Sequence, residues 1–142
     1  MENQGYQRYR EQQDQNILSM NPQELLLALY DGLVKQLILC DLALKKENYE
    51  LLEEAADRSI AILRYLDDTL DMRYPISREL HRLYDFYSYE MGRVKIGRNR
   101  EVLDKVRPMI TDLRETFRTA KQNCDEGRGG EVPEVPPKAP VE

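Results

Sequence analysis

Asn21-Pro22-Gln23-Glu24-Leu25-Leu26-Leu27-Ala28-Leu29-Tyr30-Asp31-Gly32 is the stretch whose reading decides the fold. Its first four residues start a helix. Asn is a favoured N-cap, Pro at the first helical position has no N–H to leave unpaired, and Glu24 stands where it can close a capping box. From there Leu26, Tyr30, Leu33, Leu37, Cys40 and Leu44 recur at alternating spacings of four and three. This is the seam of a helix packed in a bundle. Leu27, Val34 and Ile38 widen the apolar face to one side.

The same grammar repeats downstream. After a pause at residues 45–48, Tyr49, Leu52, Ala56, Ser59, Leu63, Leu66 and Leu70 predict a second helix, with Tyr74-Pro75 as its stop, because proline pushes the preceding residue out of the α region. Ile76, Leu80, Leu83, Tyr87, Met91 and Val94 mark a third, with one slip in spacing near Met91, and residues 97–100 the next break. Leu103, Val106, Ile110, Leu113, Phe117 and Ala120 mark a fourth, in which Pro108 predicts a kink or, alternatively, a separate preceding turn. No stretch alternates with period two, so no sheet is predicted. Short connections make successive helices antiparallel neighbours. The fold class is all-α, an up-down four-helix bundle over residues 21–124.

Two flanks fall outside that pattern. Residues 1–20 are Gln-rich and polar, and carry Tyr6, Tyr9, Ile17 and Leu18 as their large apolar groups. Residues 125–142 hold four of the seven prolines and three of the seven glycines and have no apolar period. They are predicted to be a disordered tail. The charge of −5 argues against a nucleic-acid partner, which usually demands a basic footprint. No signal peptide is visible at the N-terminus, and the longest apolar run is too short to cross a bilayer, so no membrane insertion is expected and the reading is cytoplasmic. Cys40 and Cys124 fall where the helical pattern wants a small apolar residue and read as buried free thiols.

Candidates for chemistry are thin. The one histidine, His81, sits beside Leu80 and Leu83, a placement typical of a surface or capping residue. No Glu-x-x-His pair exists for a carboxylate-bridged metal site, and no phosphate loop or activated nucleophile is seen. Glu53-Glu54 and Asp67-Asp68 read as a solvated face of the second helix. No enzyme, cofactor or metal is predicted. Arg93, Lys95, Arg98 and Arg100 read as cations offsetting the C-terminal dipole of the third helix rather than as a phosphate patch.

Aromatic usage says more. Tyr84, Phe86, Tyr87 and Tyr89 fall within six residues, and one helix face cannot hold them all. Either tyrosines such as Tyr30 and Tyr87 line the bundle with hydroxyls at the surface, or the surplus lines a groove for a partner.

Three stretches taken together carry a family resemblance: the opening quoted above; Leu70-Asp71-Met72 before a turn, followed by Leu80-His81-Arg82-Leu83-Tyr84-Asp85-Phe86; and Leu113-Arg114-Glu115-Thr116-Phe117-Arg118-Thr119-Ala120. In order and spacing, from about residue 6 to residue 123, this set resembles the FliS family of flagellar export chaperones. Pro108, Gly92, Gly97 and the Pro-rich tail depart from it. The resemblance implies a bundle that binds the C-terminal segment of flagellin, prevents its premature polymerisation and delivers it to the flagellar export gate. It implies binding or capping roles for Tyr6, Tyr9, Ile17, Leu18, Leu27, Val34, Ile38, Tyr84 and Tyr87, with the N-terminal arm as a cap that cargo displaces. Oligomeric state stays open between monomer and weak dimer. The alternative is a non-secretory helical adaptor or regulator acting through protein–protein contacts.

Overall fold

The computed structural model describes residues 20–125. Four helices fill them: α1 (Pro22–Lys45), α2 (Tyr49–Asp68), α3 (Pro75–Gly97) and α4 (Arg100–Asp125). Each packs on its neighbours in cyclic order, α1 on α2, α2 on α3, α3 on α4 and α4 back on α1. The all-α bundle read from the sequence is the observed architecture. Tyr6, Tyr9, Ile17, Leu18 and the tail beyond Asp125 lie outside the described residues.

Local chemistry sets the ends. The Asn21 side chain accepts from the Glu24 amide at 2.8 Å, and its own amide donates to the Glu24 carboxylate at 3.0 Å. That reciprocal pair starts α1. At its far end Glu47 takes a left-handed φ of 54°, and Asn48 N–H donates back to the Ala43 carbonyl at 2.9 Å, the closure of a Schellman turn. The Asn48 side chain then accepts from Leu51 N–H at 3.2 Å, so the residue that ends one helix caps the next.

One expectation is corrected and one alternative is set aside. α2 ends at Asp68, well ahead of Tyr74-Pro75; Thr69 closes it, with its hydroxyl donating to the Leu66 carbonyl at 2.9 Å. Pro75 opens α3 instead, as its first residue. The connecting turn is organised by buried Asp71, whose carboxylate accepts from Arg73 and whose carbonyl accepts from Ser77 Oγ at 2.6 Å. In α4 no separate turn precedes Pro108, and the helix runs unbroken through it. Pro108 is exposed, so the carbonyl it leaves unpaired one turn back can meet water.

The seams read from the sequence form the core. Tyr30, Leu33, Leu37, Cys40, Leu52, Leu63, Leu66, Leu80, Met91, Val94, Leu103, Val106 and Ile110 are all nearly or wholly removed from solvent. Ala43, Ala55 and Ala56 fill the narrow places between them. Cys40 is buried, which pushes its thiol up to about 11, whereas Cys124 is only partly covered; both are free.

Candidate functional site

The site emerges from asking which large apolar groups the core leaves over. Tyr84 and Tyr87 are not among them: both are buried in the free bundle. Nor does Tyr30 point its hydroxyl at solvent. Tyr30 Oη on α1 and Tyr84 Oη on α3 bond to each other inside the bundle, and the Tyr30 ring stacks on Phe117 of α4 at 5.5 Å between centroids. Burial raises both phenol pKa values, Tyr84 to about 12 and Tyr30 further.

Tyr89, the fourth member of the aromatic run, is different. It is 68% exposed, and Ile96, two turns further along α3, is 85% exposed. Between them sits Gly92, where an added Cβ would find nothing within 4 Å. Tyr89, Gly92 and Ile96 are spaced i, i+3, i+7 and so form one stripe. Ile60 and Arg64 of α2 make the opposite wall, and the groove between the two helices encloses ≈ 590 Å³. A glycine floor between two large apolar groups lets another chain approach the α3 backbone closely. Arg93 forms part of the wall; its guanidinium is drawn to buried Glu90 at 3.1 Å, while Arg64 makes no ion pair with a described residue.

A second apolar strip runs on the other side of the molecule. Leu27 and Val34 are half-buried along α1, and Ile38 (51% exposed) and Leu42 stand out from it. The strip is crossed by ion pairs between α1 and α4: Asp31 with Arg114 at 3.4 Å, and Asp41 with Arg100 at 2.7 Å and Arg107 at 3.6 Å. The bond from Arg100 holds the Asp41 carboxyl below the usual carboxylate range, with Lys45 adding to it. Exposed Met109 falls between Arg107 and Arg114, and Ile38 between Asp41 and Asp31, so antiparallel pairing brings the two to one level. Sequence reasoning found the α1 strip through its widened face. It marked Tyr89 only as part of an aromatic surplus and gave Ile60 and Ile96 no role.

The basic residues near the third turn are all engaged. Arg93 pairs with Glu90, Lys95 with Asp57 at 2.8 Å, Arg100 with Asp41, and Arg98 lies over the Tyr49 ring at 3.5 Å with a left-handed φ of 50°. Lys95, Arg98 and Arg100 tie the α3–α4 turn to α1 and α2, which is more specific than a dipole effect. Asp67 is not simply solvated: its carboxylate bonds His81 Nδ1 at 2.6 Å, and Asp85 approaches Nε2 at 3.6 Å. These three could offer one ligand atom each to a cation. Yet the imidazole turns its two nitrogens to different carboxylates, which is the geometry of a clamped imidazolium, and the Asp67 bond raises the His81 pKa. No arrangement of a nucleophile with a base appears among the described residues.

Comparison with known proteins agrees. The family described as "Flagellar protein FliS" matches residues 3–124. A protein of Bacillus subtilis (strain 168) named "Flagellar secretion chaperone FliS" is 25% identical over 122 residues, covering 86% of this chain and 92% of the relative. No described helix is long and apolar enough to cross a membrane. The match spans all four helices and both apolar strips, and the chain belongs to the FliS family, a family of flagellar chaperones and not of enzymes.

Proposed function

We propose that this protein is a flagellar secretion chaperone that binds the C-terminal segment of flagellin, keeps it from polymerising early and supports its delivery to the export gate. The observation that carries the reading is the Tyr89–Gly92–Ile96 groove on a bundle whose core is already complete. Large apolar groups left exposed in such a stripe mark a partner site. Burying Tyr89 and Ile96 against a partner contributes roughly 1.5–3 kcal/mol each. Ordering a disordered cargo segment costs several kcal/mol, so one short contact is not enough. The α1–α4 strip with Ile38, Leu42 and Met109 supplies a second surface, and an amphipathic cargo that folds into helices on binding can use both. On this reading the N-terminal arm, with Tyr6, Tyr9, Ile17 and Leu18, covers part of these surfaces until cargo replaces it.

The mechanism is physical. Covering the polymerising segment removes it from the assembly reaction and leaves the rest of the cargo loose enough for export. Co-purification with intact flagellin and with flagellin lacking its C-terminal segment tests this. The intact form is expected to be retained and the truncated form lost; equal retention of both overturns the assignment.

A further inference from the structure

The groove between α2 and α3 also has a candidate occupant within the chain. We propose that the Pro-rich tail, at Glu131-Val132-Pro133-Glu134-Val135-Pro136-Pro137, docks along the Tyr89–Gly92–Ile96 stripe and occupies the groove in cis. The inference rests on the groove alone and not on the flagellin reading.

Three observations carry it. The first is chemical fit. Proline-rich segments favour an extended, low-entropy helix that lays prolines and small apolar side chains onto exposed aromatic rings. The tail alternates Val-Pro units with glutamates, and the groove offers one exposed tyrosine, one exposed isoleucine and a glycine floor.

The second is charge. Glu131 and Glu134 flank Val132 and Pro133, and the groove is walled by Arg64 and Arg93. Arg64 has no carboxylate partner among the described residues, so it is available to an acidic peptide. The N-terminal arm offers no comparable run of acidic and apolar residues: its glutamines separate Tyr6 and Tyr9 from Ile17 and Leu18.

The third is reach. Tyr89 lies on α3 about 12 Å before the turn into α4, and the 26 residues of α4 carry the chain about 38 Å back from that turn. The tail must therefore return about 26 Å along the bundle and cross α3. Counted from Asp125 at about 3.1 Å per residue, Glu131 lies about 19 Å along the tail, Pro133 about 25 Å and Pro137 about 37 Å, so it is the Pro133–Pro137 part of the run that reaches the stripe. Gly127, Gly129 and Gly130 precede the docking run and permit the reversal of direction at the end of α4. A tail held in this way lowers the apparent affinity of any groove partner by the fraction of time the groove is filled.

A nitroxide on the full chain tests this. Ala139→Cys carries the label in a Cys124→Ser background; Cys40 is wholly buried and does not label. The amide signals of Tyr89, Gly92 and Ile96 are expected to lose most of their intensity, and those of Leu42 and Met109 to keep theirs. Arg64→Glu should restore the groove signals, and Arg64→Glu combined with Glu131→Lys and Glu134→Lys should lose them again. Unchanged groove signals, or equal loss on both faces, overturn the proposal. So does loss seen only between a nitroxide-bearing copy and a separate isotope-labelled copy, which would mean pairing of two chains. Groove signals lost to a label at Gln12→Cys but not at Ala139→Cys would give the groove to the N-terminal arm.

Discussion

Tyr30 and Tyr84 place their hydroxyls 2.5 Å apart across the diagonal of the bundle, each ring buried in the core. Each hydroxyl has the other as its partner, and neither α1 nor α3 otherwise packs extensively on the opposite helix. The pair therefore fixes the depth and register of two helices that do not adjoin. Tyr84→Phe leaves the Tyr30 hydroxyl buried without that partner and should cost about 1–3 kcal/mol in urea unfolding. The double change Tyr30→Phe and Tyr84→Phe removes both polar groups and should cost less than the single one. A double variant weaker than Tyr84→Phe would show that the bond is not what these residues contribute.

The same pair predicts an alkaline limit. Burial raises both phenol pKa values above that of an unfolded tyrosine, so the folded state holds its protons where the unfolded chain releases them. The stability tied to this pair is complete below the unfolded tyrosine pKa of about 10 and falls as pH rises above it. Ultraviolet titration should show two phenols that ionise only as the helical signal is lost.

His81 acts in a lower window. Its bond to Asp67 raises its folded pKa, so its contribution is present below the unfolded value of about 6.5 and lost as pH rises through the folded one. The stability lost in His81→Ala should therefore be larger at about pH 5.5 than at about pH 8.5. The pair is part-exposed, so the difference should be small and should shrink in high salt. An effect that grows with pH would contradict the clamp.

Much of the fold was legible because helix starts, seams and caps are local. Asn21, Asn48 and the three-four spacing from Leu26 to Ala120 declare themselves within a few residues. Pro75 was legible as a boundary but not as to which side it served, since a proline that forbids a helix before it also suits one after it. The groove was harder to read. Tyr89 and Ile96 share a stripe with Gly92, but only the pairing of α2 with α3 sets Ile60 and Arg64 opposite them. Tyr84 and Tyr87 were drawn into the site reading by their nearness to Tyr89, whereas helix rotation turns them inward.

Gly92 gives a steric test of the groove. Its position is helical and has open space where a Cβ would stand. Gly92→Ala should stabilise α3 by about 0.5–1 kcal/mol, since glycine weakens a helix interior. Gly92→Leu should leave thermal stability near that of the parent yet abolish partner binding, by filling the floor between Tyr89 and Ile96. Binding that survives Gly92→Leu would place the partner elsewhere.

Tyr89→Ser and Ile96→Ser separate surface from scaffold. Both side chains lie outside the bundle core, so each change should alter unfolding stability by less than about 0.5 kcal/mol. Together they should weaken flagellin binding by at least about tenfold, as expected when two apolar anchors are removed. Unfolding that moves with binding would mean that the residues serve the fold.

Calorimetric titration with intact flagellin and with flagellin lacking its C-terminal segment tests the chaperone assignment most directly. Intact flagellin should bind one to one with a large negative heat-capacity change, the mark of apolar burial coupled to folding. The shortened form should give no such heat. Equal binding of both forms, with the same heat-capacity change, would contradict the account.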